Sequence, residues 1–125
     1  MDRIFILLKR KPGISFEQFR EHYETSHALL GEKFFGHLLK SYRRNYTPAG
    51  TRFSDHGSAA ENAYDCITEL VFKDSNGSAE LSRIASDPAV RGILTEDEER
   101  FLDRSICASA PFFPVESDPA KFGGG

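Results

Sequence analysis

A run of five apolar residues near the start of the chain, Ile4 to Leu8, is the feature that most constrains the fold. Charged residues flank the run, and Pro12 and Gly13 then interrupt regular structure. Apolar residues at every position, rather than at alternate positions, are typical of a strand buried on both faces of a sheet. The segment from Arg3 to Arg10 is therefore predicted to be an internal strand.

The stretch from Ser15 to Leu30 predicts an amphipathic helix that carries a histidine on its apolar face. Ser15 and Gln18 have the spacing of a capping box, which satisfies free amide groups at a helix N-terminus. On a helical wheel, one side collects Phe16, Phe19, Tyr23, His27 and Leu30. Because His27 stands where a leucine would pack better, it is the main candidate for a functional residue.

The rest of the chain alternates strands and helical pieces around a long polar loop, Ala49 to Ala63, of a kind that often forms a lid or is mobile. Three more strands are predicted, namely Leu38–Thr47, Tyr64–Lys73 and Ser105–Val115. Between them lie a less regular stretch, Gly31–His37, and three helical pieces: Ser78–Ser86, one starting at Asp87 with Pro88, and one opened by Thr95 with Glu98 as its capping partner.

This order of elements, strand, helix, strand, strand, helix, strand, predicts an α+β fold of the ferredoxin-like βαββαβ type. The right-handed crossover rule places the first and third strands at the centre of a four-stranded antiparallel sheet, with the helices on one face. The opposite face of the first strand is also apolar, and an uncovered apolar face usually belongs to an interface. We therefore expect a symmetric homodimer that packs sheet against sheet.

The chain has 125 residues, the size of one ordinary domain, and we expect residues 1–117 to form it and residues 118–125 to be a flexible tail. The net charge of -3 argues against nucleic acid or an anionic membrane as a partner. No apolar run approaches the roughly 20 residues of a membrane span, and the N-terminus lacks the pattern of a secretory signal. The cytoplasm is the expected compartment.

The two cysteines, Cys66 and Cys107, lie far apart and lack metal-ligand spacing, so free and mostly buried thiols are expected. In the predicted sheet the first strand separates them, which makes a disulfide improbable. The sequence has no phosphate loop, dinucleotide fingerprint or redox cysteine pair, and no histidine and carboxylate spacing of a metal site. We expect neither a metal nor a cofactor.

Three segments together resemble the EthD family. FILLKRKPGISFEQFREHYETSHALL, from Phe5 to Leu30, is similar to the family's opening signature, in which an LKRKPG turn leads into a helix ending in a histidine. YDCITELVF from Tyr64 resembles its third strand, and DEERFLDRS from Asp97 resembles the stretch before its last strand. The sequence departs from the family at Tyr23-Glu24, where many members have an aromatic pair that includes tryptophan.

The resemblance implies a dimeric α/β barrel that holds a small, often aromatic molecule between sheet and helices. Members of the family are associated with the breakdown of organic compounds, and fungal relatives look like decarboxylases or dehydratases of aromatic polyketides. Other proteins of the same architecture are cofactor-free monooxygenases, cyclases or haem-degrading enzymes, so the fold alone does not select a reaction.

His27 is the candidate catalytic residue, because a histidine can hold or release a proton near neutral pH. On the helix face toward the sheet it would line an apolar pocket suited to a small organic ligand. The alternative is a buried histidine that is merely hydrogen-bonded to a backbone carbonyl. Asp65, at the start of the third strand, is a candidate to position it.

Further side chains are candidates for substrate binding. Tyr23 lies on the same helix face as His27, and Tyr42 and Tyr64 supply hydroxyl groups that could orient a carbonyl or a phenol, although half-buried sheet packing is their commoner role. Asp97 lies in the first turn of the last predicted helical piece, where it could instead favour the helix dipole. Asp103, at the end of that piece, is expected to have a structural partner first, such as an arginine or a strand amide.

Three functions remain open at this point. The first is a cofactor-free enzyme that acts on a small hydrophobic, aromatic or ketone-bearing molecule by lyase- or isomerase-type proton transfer through His27. The second is a cofactor-independent monooxygenase using the same pocket. The third is a non-catalytic accessory protein that binds a hydrophobic molecule. His22, His37 and His56 are expected to be surface residues.

Overall fold

The computed structural model describes residues 3–48, 53–54, 59–60 and 64–123. A four-stranded sheet and three helical segments form the body of this part of the chain. In order, its elements are β1 (Arg3–Leu8), α1 (Phe16–His22), a π-helical turn (Tyr23–His27), α2 (Ala28–Phe35), a 3₁₀ turn (Gly36–Leu38), β2 (Leu39–Tyr46), β3 (Phe53–Ser54), β4 (Ala59–Ala60), β5 (Cys66–Phe72), α3 (Gly77–Ala85), α4 (Pro88–Phe101), β6 (Ala108–Phe112) and a 3₁₀ turn (Pro119–Lys121).

The sheet has the strand order β2-β5-β1-β6, and every neighbouring pair is antiparallel. This confirms the predicted α+β, ferredoxin-like arrangement with the first and third long strands at its centre. Leu7 of β1 pairs with Ile67 on one side and with Ala108 on the other, so β1 lies between the segments that carry the two cysteines. Cys66 and Cys107 are both free, as predicted.

The first helical segment begins as predicted and ends later. Gly13 has a φ of 92°, a conformation that glycine adopts without steric cost, and the side chains of Ser15 and Gln18 form both bonds of the capping box. The prediction that regular structure stops after Leu30 is wrong, because α2 continues to Phe35. The Phe35 side chain is buried, and this packing extends the helix.

The last helix, α4, is continuous where two pieces were predicted. The Asp87 side chain accepts a hydrogen bond from the Ala89 amide at 2.9 Å, and Pro88 occupies the first helical position. Thr95 lies inside α4 and does not start a helix, since the backbone of Pro88–Phe101 is helical throughout. Asp97 consequently lies well beyond the first turn, so a role in favouring the N-terminal dipole is excluded.

The predicted loop from Ala49 to Ala63 contains a short antiparallel pair, in which Phe53 of β3 is opposite Ala60 of β4. The other residues of this stretch, 49–52, 55–58 and 61–63, lie outside the described residues, as does the prediction for His56. In the predicted tail, Asp118 caps the turn Pro119–Lys121. None of the helices in the described ranges combines the length and the apolar character needed to cross a bilayer.

The two faces of the sheet have different surroundings. Ile4, Ile6 and Leu8 of β1 face the helices, where the aromatic residues Phe19, Tyr23 and Phe101 form a buried core. Phe5 and Leu7 alternate with them and therefore face the other way. On that open face the Phe5 ring meets the Phe112 ring edge-on at 5.0 Å, and Phe112 remains 51% exposed.

Candidate functional site

A cavity of about 380 Å³ lies between the helix-covered face of the sheet and the helices. Aliphatic side chains from β1, β5, α3 and α4 form most of its wall. The polar side chains that reach it are Tyr23, His27, Tyr42, Glu98 and Ser109. Its size and largely apolar lining are those of a site for a small organic molecule.

The π-helical turn Tyr23–His27 brings His27 to this cavity. The Ala28 amide donates to the Tyr23 carbonyl, five residues earlier, instead of to the residue four earlier. The additional residue in this turn changes which side chains follow on the cavity side: Gly31 and Phe35 line the cavity, whereas the predicted Leu30 lies on the outside near Ile93. Such turns occur frequently at functional sites.

His27 is held by a carboxylate on the neighbouring helix. Its Nδ1 lies 2.9 Å from Oδ2 of Asp97, which is buried, with a side-chain exposure of 7%. Since an ionised carboxylate only accepts hydrogen bonds, this contact places the hydrogen on Nδ1. Nε2 has no hydrogen-bond partner among the described residues, and the His27 side chain lines the cavity.

Asp97 also binds two other residues of the first helical segment. Its Oδ1 accepts a hydrogen bond from Ser26 Oγ at 2.7 Å and lies 3.1 Å from His22 Nε2. Burial by itself would raise the pKa of the Asp97 carboxyl, but the hydrogen bonds from Ser26 and His27 and the electrostatic interactions with His22 and His27 outweigh it and lower the pKa. Asp97 therefore stays ionised and keeps His27 oriented.

A chain of hydroxyl groups lies at the sheet side of the same cavity. Tyr42 donates to the Tyr23 hydroxyl at 3.2 Å, and Tyr23 and Thr68 share a hydrogen bond of 2.7 Å. Burial is the largest cause of the raised pKa values of both tyrosines, so both hydroxyls stay protonated. Gly31 lets the helix approach here, because a Cβ at this position would lie 3.1 Å from the Tyr42 ring.

A second polar cluster surrounds Glu24, also in the π-helical turn. Arg44 binds both oxygens of Glu24, with 2.7 Å between Nη2 and Oε1, and the Tyr46 hydroxyl donates to Oε2. The hydrogen bonds from Arg44 are the largest cause of the lowered pKa of Glu24. The Arg44 guanidinium also lies 4.7 Å from the centre of the Tyr42 ring.

Three predicted site residues lie away from the cavity, and a fourth, Asp97, does not line it and is connected to it only through His27. Tyr64 is half-buried before β5 and does not line it. The buried Asp65 accepts a hydrogen bond from the Arg10 amide at 2.8 Å and fixes the end of β1. The carboxylate that binds His27 is Asp97 instead. Asp103 accepts hydrogen bonds from the amide and hydroxyl of Ser105, which makes its partner a local turn and not an arginine or a strand amide.

The sequence patterns missed three residues that belong to the site. His22, predicted to be on the surface, is 25% exposed and stacks on the Phe101 ring at 4.7 Å while it contacts Asp97. Ser26 follows His22 by four residues, so the helical spacing of this pair was an available signal. Glu98 lies on the cavity wall and is not a capping residue. Within the described ranges, no group of three or more His, Cys, Asp or Glu residues could hold a metal ion.

The sequence matches the model of a known protein family over most of its length. The family model described as the EthD domain matches residues 11–105. A search of curated proteins found no match. The matched segment contains both His27 and Asp97, and most of the cavity wall.

Several solved structures share the fold at low sequence identity. A protein of Arabidopsis thaliana is 19% identical, with a TM-score of 0.62 over 94% of this chain and 99% of that one. An ethyl tert-butyl ether D (EthD) family protein from Bacillus halodurans is 18% identical, with a TM-score of 0.60 over 92% and 100%. A dimeric ferredoxin-like protein of unknown function from Thermobifida fusca is 15% identical, with a TM-score of 0.55 over 89% and 88%.

Proposed function

The chain belongs to the EthD family, and from the chemistry of its cavity we propose that it is a cofactor-free enzyme of lyase or isomerase type. Its substrate in this proposal is a small hydrophobic molecule, aromatic or ketone-bearing, of the kind met in the breakdown of organic compounds. The observation that carries the proposal is His27 on the wall of an apolar cavity, with Nδ1 held by the buried Asp97.

Each polar group of the cavity has a role in this reaction. Asp97 keeps the hydrogen of His27 on Nδ1, which leaves Nε2 as a base that takes a proton from the carbon next to a carbonyl. The electron pair moves to the carbonyl oxygen, and the neutral Tyr23 hydroxyl, which accepts from Tyr42 and has a free hydrogen when Thr68 donates to it, donates a hydrogen bond to this oxygen. The protonated Nε2 then returns the proton, to a second carbon in an isomerisation or to a leaving group in a lyase reaction.

Exchange of hydrogen for deuterium tests this step without knowledge of the natural substrate. We expect the wild-type protein to accelerate exchange at the carbons next to the carbonyl of 2-tetralone in D₂O, followed by ¹H NMR under nitrogen. In His27→Gln the rate should fall about 100-fold or more. His37→Gln is the matched control, because His37 is exposed on the 3₁₀ turn and should keep the wild-type rate.

Three results would contradict the proposal. An equal exchange rate in wild type and His27→Gln would remove His27 from the chemistry. Binding of aromatic ketones without any exchange would favour a non-catalytic binding protein instead. Since exchange needs no oxygen, a reaction seen only in air would favour a monooxygenase.

We also propose that two copies pack through the open face of the sheet. Phe5, Leu7 and the half-exposed Phe112 give this face an apolar centre, and the Thermobifida fusca protein of the same fold is described as dimeric. Light scattering at micromolar concentration should give twice the chain mass of 14.0 kDa. Phe112→Lys should shift the protein toward the monomer, and a wild-type mass near 14.0 kDa would contradict the proposal.

A further inference from the structure

Helix α4 presents one acidic residue to the cavity among leucines. Leu94 and Glu98 lie four residues apart on α4, and Leu102, the residue directly after the helix, lines the cavity together with them. Residues at this spacing share one face of a helix. A leucine at position 98 would continue the apolar wall, so the glutamate is unexplained by packing.

The other acidic residues in this part of α4 all have partners. Glu96 pairs with Arg100 at 3.0 Å, Glu99 pairs with Arg104 at 3.6 Å, and Asp97 binds the two histidines and Ser26. The Glu98 carboxylate has no hydrogen bond or ion pair with any residue in the described part of the chain. The acidic group that faces the cavity is therefore the one without a partner.

The position of Glu98 adds to the cost of its charge. It lies in the last turn of α4, where the helix dipole disfavours a carboxylate. Its charge also acts on the half-buried Cys107 thiol, whose pKa is raised first by burial and, to a smaller extent, by Asp103 and Glu98. Neither Cys107 nor Asp103 supplies a positive charge that would balance the Glu98 carboxylate.

We propose that Glu98 anchors the ligand by accepting a hydrogen bond from a hydroxyl group, so that the substrate is a hydroxylated aromatic ketone or a similar phenolic molecule. This inference rests on the proposed function and narrows its substrate class. A neutral hydroxyl suits the site better than an ammonium group, because placing a second charge in the mostly aliphatic cavity adds another desolvation cost. His27 and Glu98 would then contact different groups of one ligand.

Two ligands that differ by a single hydroxyl test the anchor. We expect wild-type protein to bind 6-hydroxy-2-tetralone about tenfold more tightly than 2-tetralone in calorimetric titrations, since hydrogen bonds to charged groups are the stronger ones. Glu98→Leu should lose this preference and bind 2-tetralone at least as well as wild type. Glu98→Gln, which keeps an acceptor oxygen, should keep part of the preference. Glu99→Leu, on the exposed side of the same helix, should behave as wild type.

Folding provides an independent readout. Replacing an unpartnered carboxylate by leucine should leave the melting temperature of Glu98→Leu equal to or above that of wild type. A lower melting temperature would show that Glu98 has a structural role, and it would contradict the proposal.

The outcomes separate this inference from the proposed function. If Glu98→Leu still prefers the hydroxylated probe, Glu98 is not the anchor. The deuterium exchange proposed for His27 is not affected by this result. Tighter binding of 2-aminotetralin than of the hydroxylated probe, lost in Glu98→Leu, overturns the hydroxyl in favour of a cationic ligand. Loss of the preference in Glu98→Leu, together with no exchange by wild type, supports the anchor and contradicts proton transfer. A wild type that binds none of the probes contradicts both.

Discussion

Two carboxylates contact the same π-helical turn, and their surroundings differ in one respect. Glu24 belongs to the turn, and Arg44 and Tyr46 occupy its two oxygens. Asp97 comes from α4 and is equally well bound, but one of its partners is His27, whose second ring nitrogen has no partner among the described residues and whose side chain lines the cavity. The Glu24 cluster is closed, whereas the Asp97 cluster ends in the group that we propose to react.

This difference suggests how a stabilising polar cluster can be distinguished from a reactive one. Both carboxyls have lowered pKa values, so neither the ionisation state nor the number of hydrogen bonds separates them. The difference is whether the last polar atom of the cluster faces a protein partner or a cavity. The distinction would be wrong if replacing Glu24 abolished the reaction while replacing Asp97 left the reaction unchanged.

The largest expected effect is on the reaction. Asp97→Asn should lower deuterium exchange on 2-tetralone about 100-fold or more, because an amide can donate to Nδ1 and so place the hydrogen of His27 on Nε2, where it blocks the base. Glu24→Gln should stay within about threefold of wild type, since Glu24, Arg44 and Tyr46 do not line the cavity. ¹H NMR rates for the two variants give the comparison directly. Equal losses of exchange rate in Asp97→Asn and Glu24→Gln would contradict the proposed difference between the two clusters.

The second effect is on stability, and it belongs to the closed cluster. Arg44→Leu leaves Glu24 with its charge uncompensated, and we expect the free energy of unfolding to fall by about 1–2 kcal/mol, less than for a fully buried pair because Glu24 is 35% exposed. Urea denaturation measures this change in the free energy of unfolding. The double variant Arg44→Leu/Glu24→Leu should recover most of the loss. Should the double variant be less stable than Arg44→Leu alone, the ion pair would not be the cause.

Acid should destabilise the protein through both clusters. The folded-state pKa values of Asp97 and Glu24 lie below their ordinary values of 3.8 and 4.5, so the unfolded chain binds protons first as the pH falls. Their contribution is present above the ordinary values and is lost as the pH falls through the folded-state values. Urea denaturation between about pH 5 and 2 should show a smaller loss in Asp97→Asn and in Glu24→Gln than in wild type. An unchanged slope in both variants would be the contrary result.

Local patterns in the sequence were sufficient for most of the fold. The apolar run of β1 and the capping box of Ser15 and Gln18 each depend on neighbouring residues, and the crossover rule then fixed the strand order. The separate helix at Thr95 was a local error, because a capping-box pattern also occurs inside a continuous helix. The spacing of Thr95 and Glu98 does not show whether the residues before Thr95 are already helical.

The site was less predictable because its contacts join distant residues. His27 was found from its place on an apolar face, but the contact between His27 and Asp97 spans 70 positions, and nothing local distinguishes Asp97 from Asp65 as the partner. The helical wheel assumes 3.6 residues per turn, so it could not show the π-helical turn that replaces Leu30 with Gly31 on the cavity wall. On α4, which is regular, the spacing of four residues from Leu94 would have placed Glu98 on the cavity face.

The smallest expected effect tests Tyr42, which connects the Glu24 cluster with the cavity. Tyr42 lies under Arg44 and donates to Tyr23 at the cavity, and a Cβ at Gly31 would press on its ring and hydroxyl at 3.1 and 3.2 Å. Gly31→Ala should displace the Tyr42 ring by a few tenths of an ångström and lower the free energy of unfolding by under about 1 kcal/mol. Because Tyr42 lines the cavity, the affinity for 2-tetralone should fall as well.

Gly36 supplies the matched control for this change. It follows α2 with an ordinary helical backbone, and a Cβ there meets no atom within 4 Å, so Gly36→Ala should leave binding unchanged and stabilise by about 0.5 kcal/mol through the loss of chain entropy. If both alanine variants have the same affinity for 2-tetralone, Tyr42 does not shape the cavity. The hydroxyl chain from Tyr42 to Thr68 would then belong with Glu24 to the closed part of the structure, and His27 and Glu98 alone would define the reactive part.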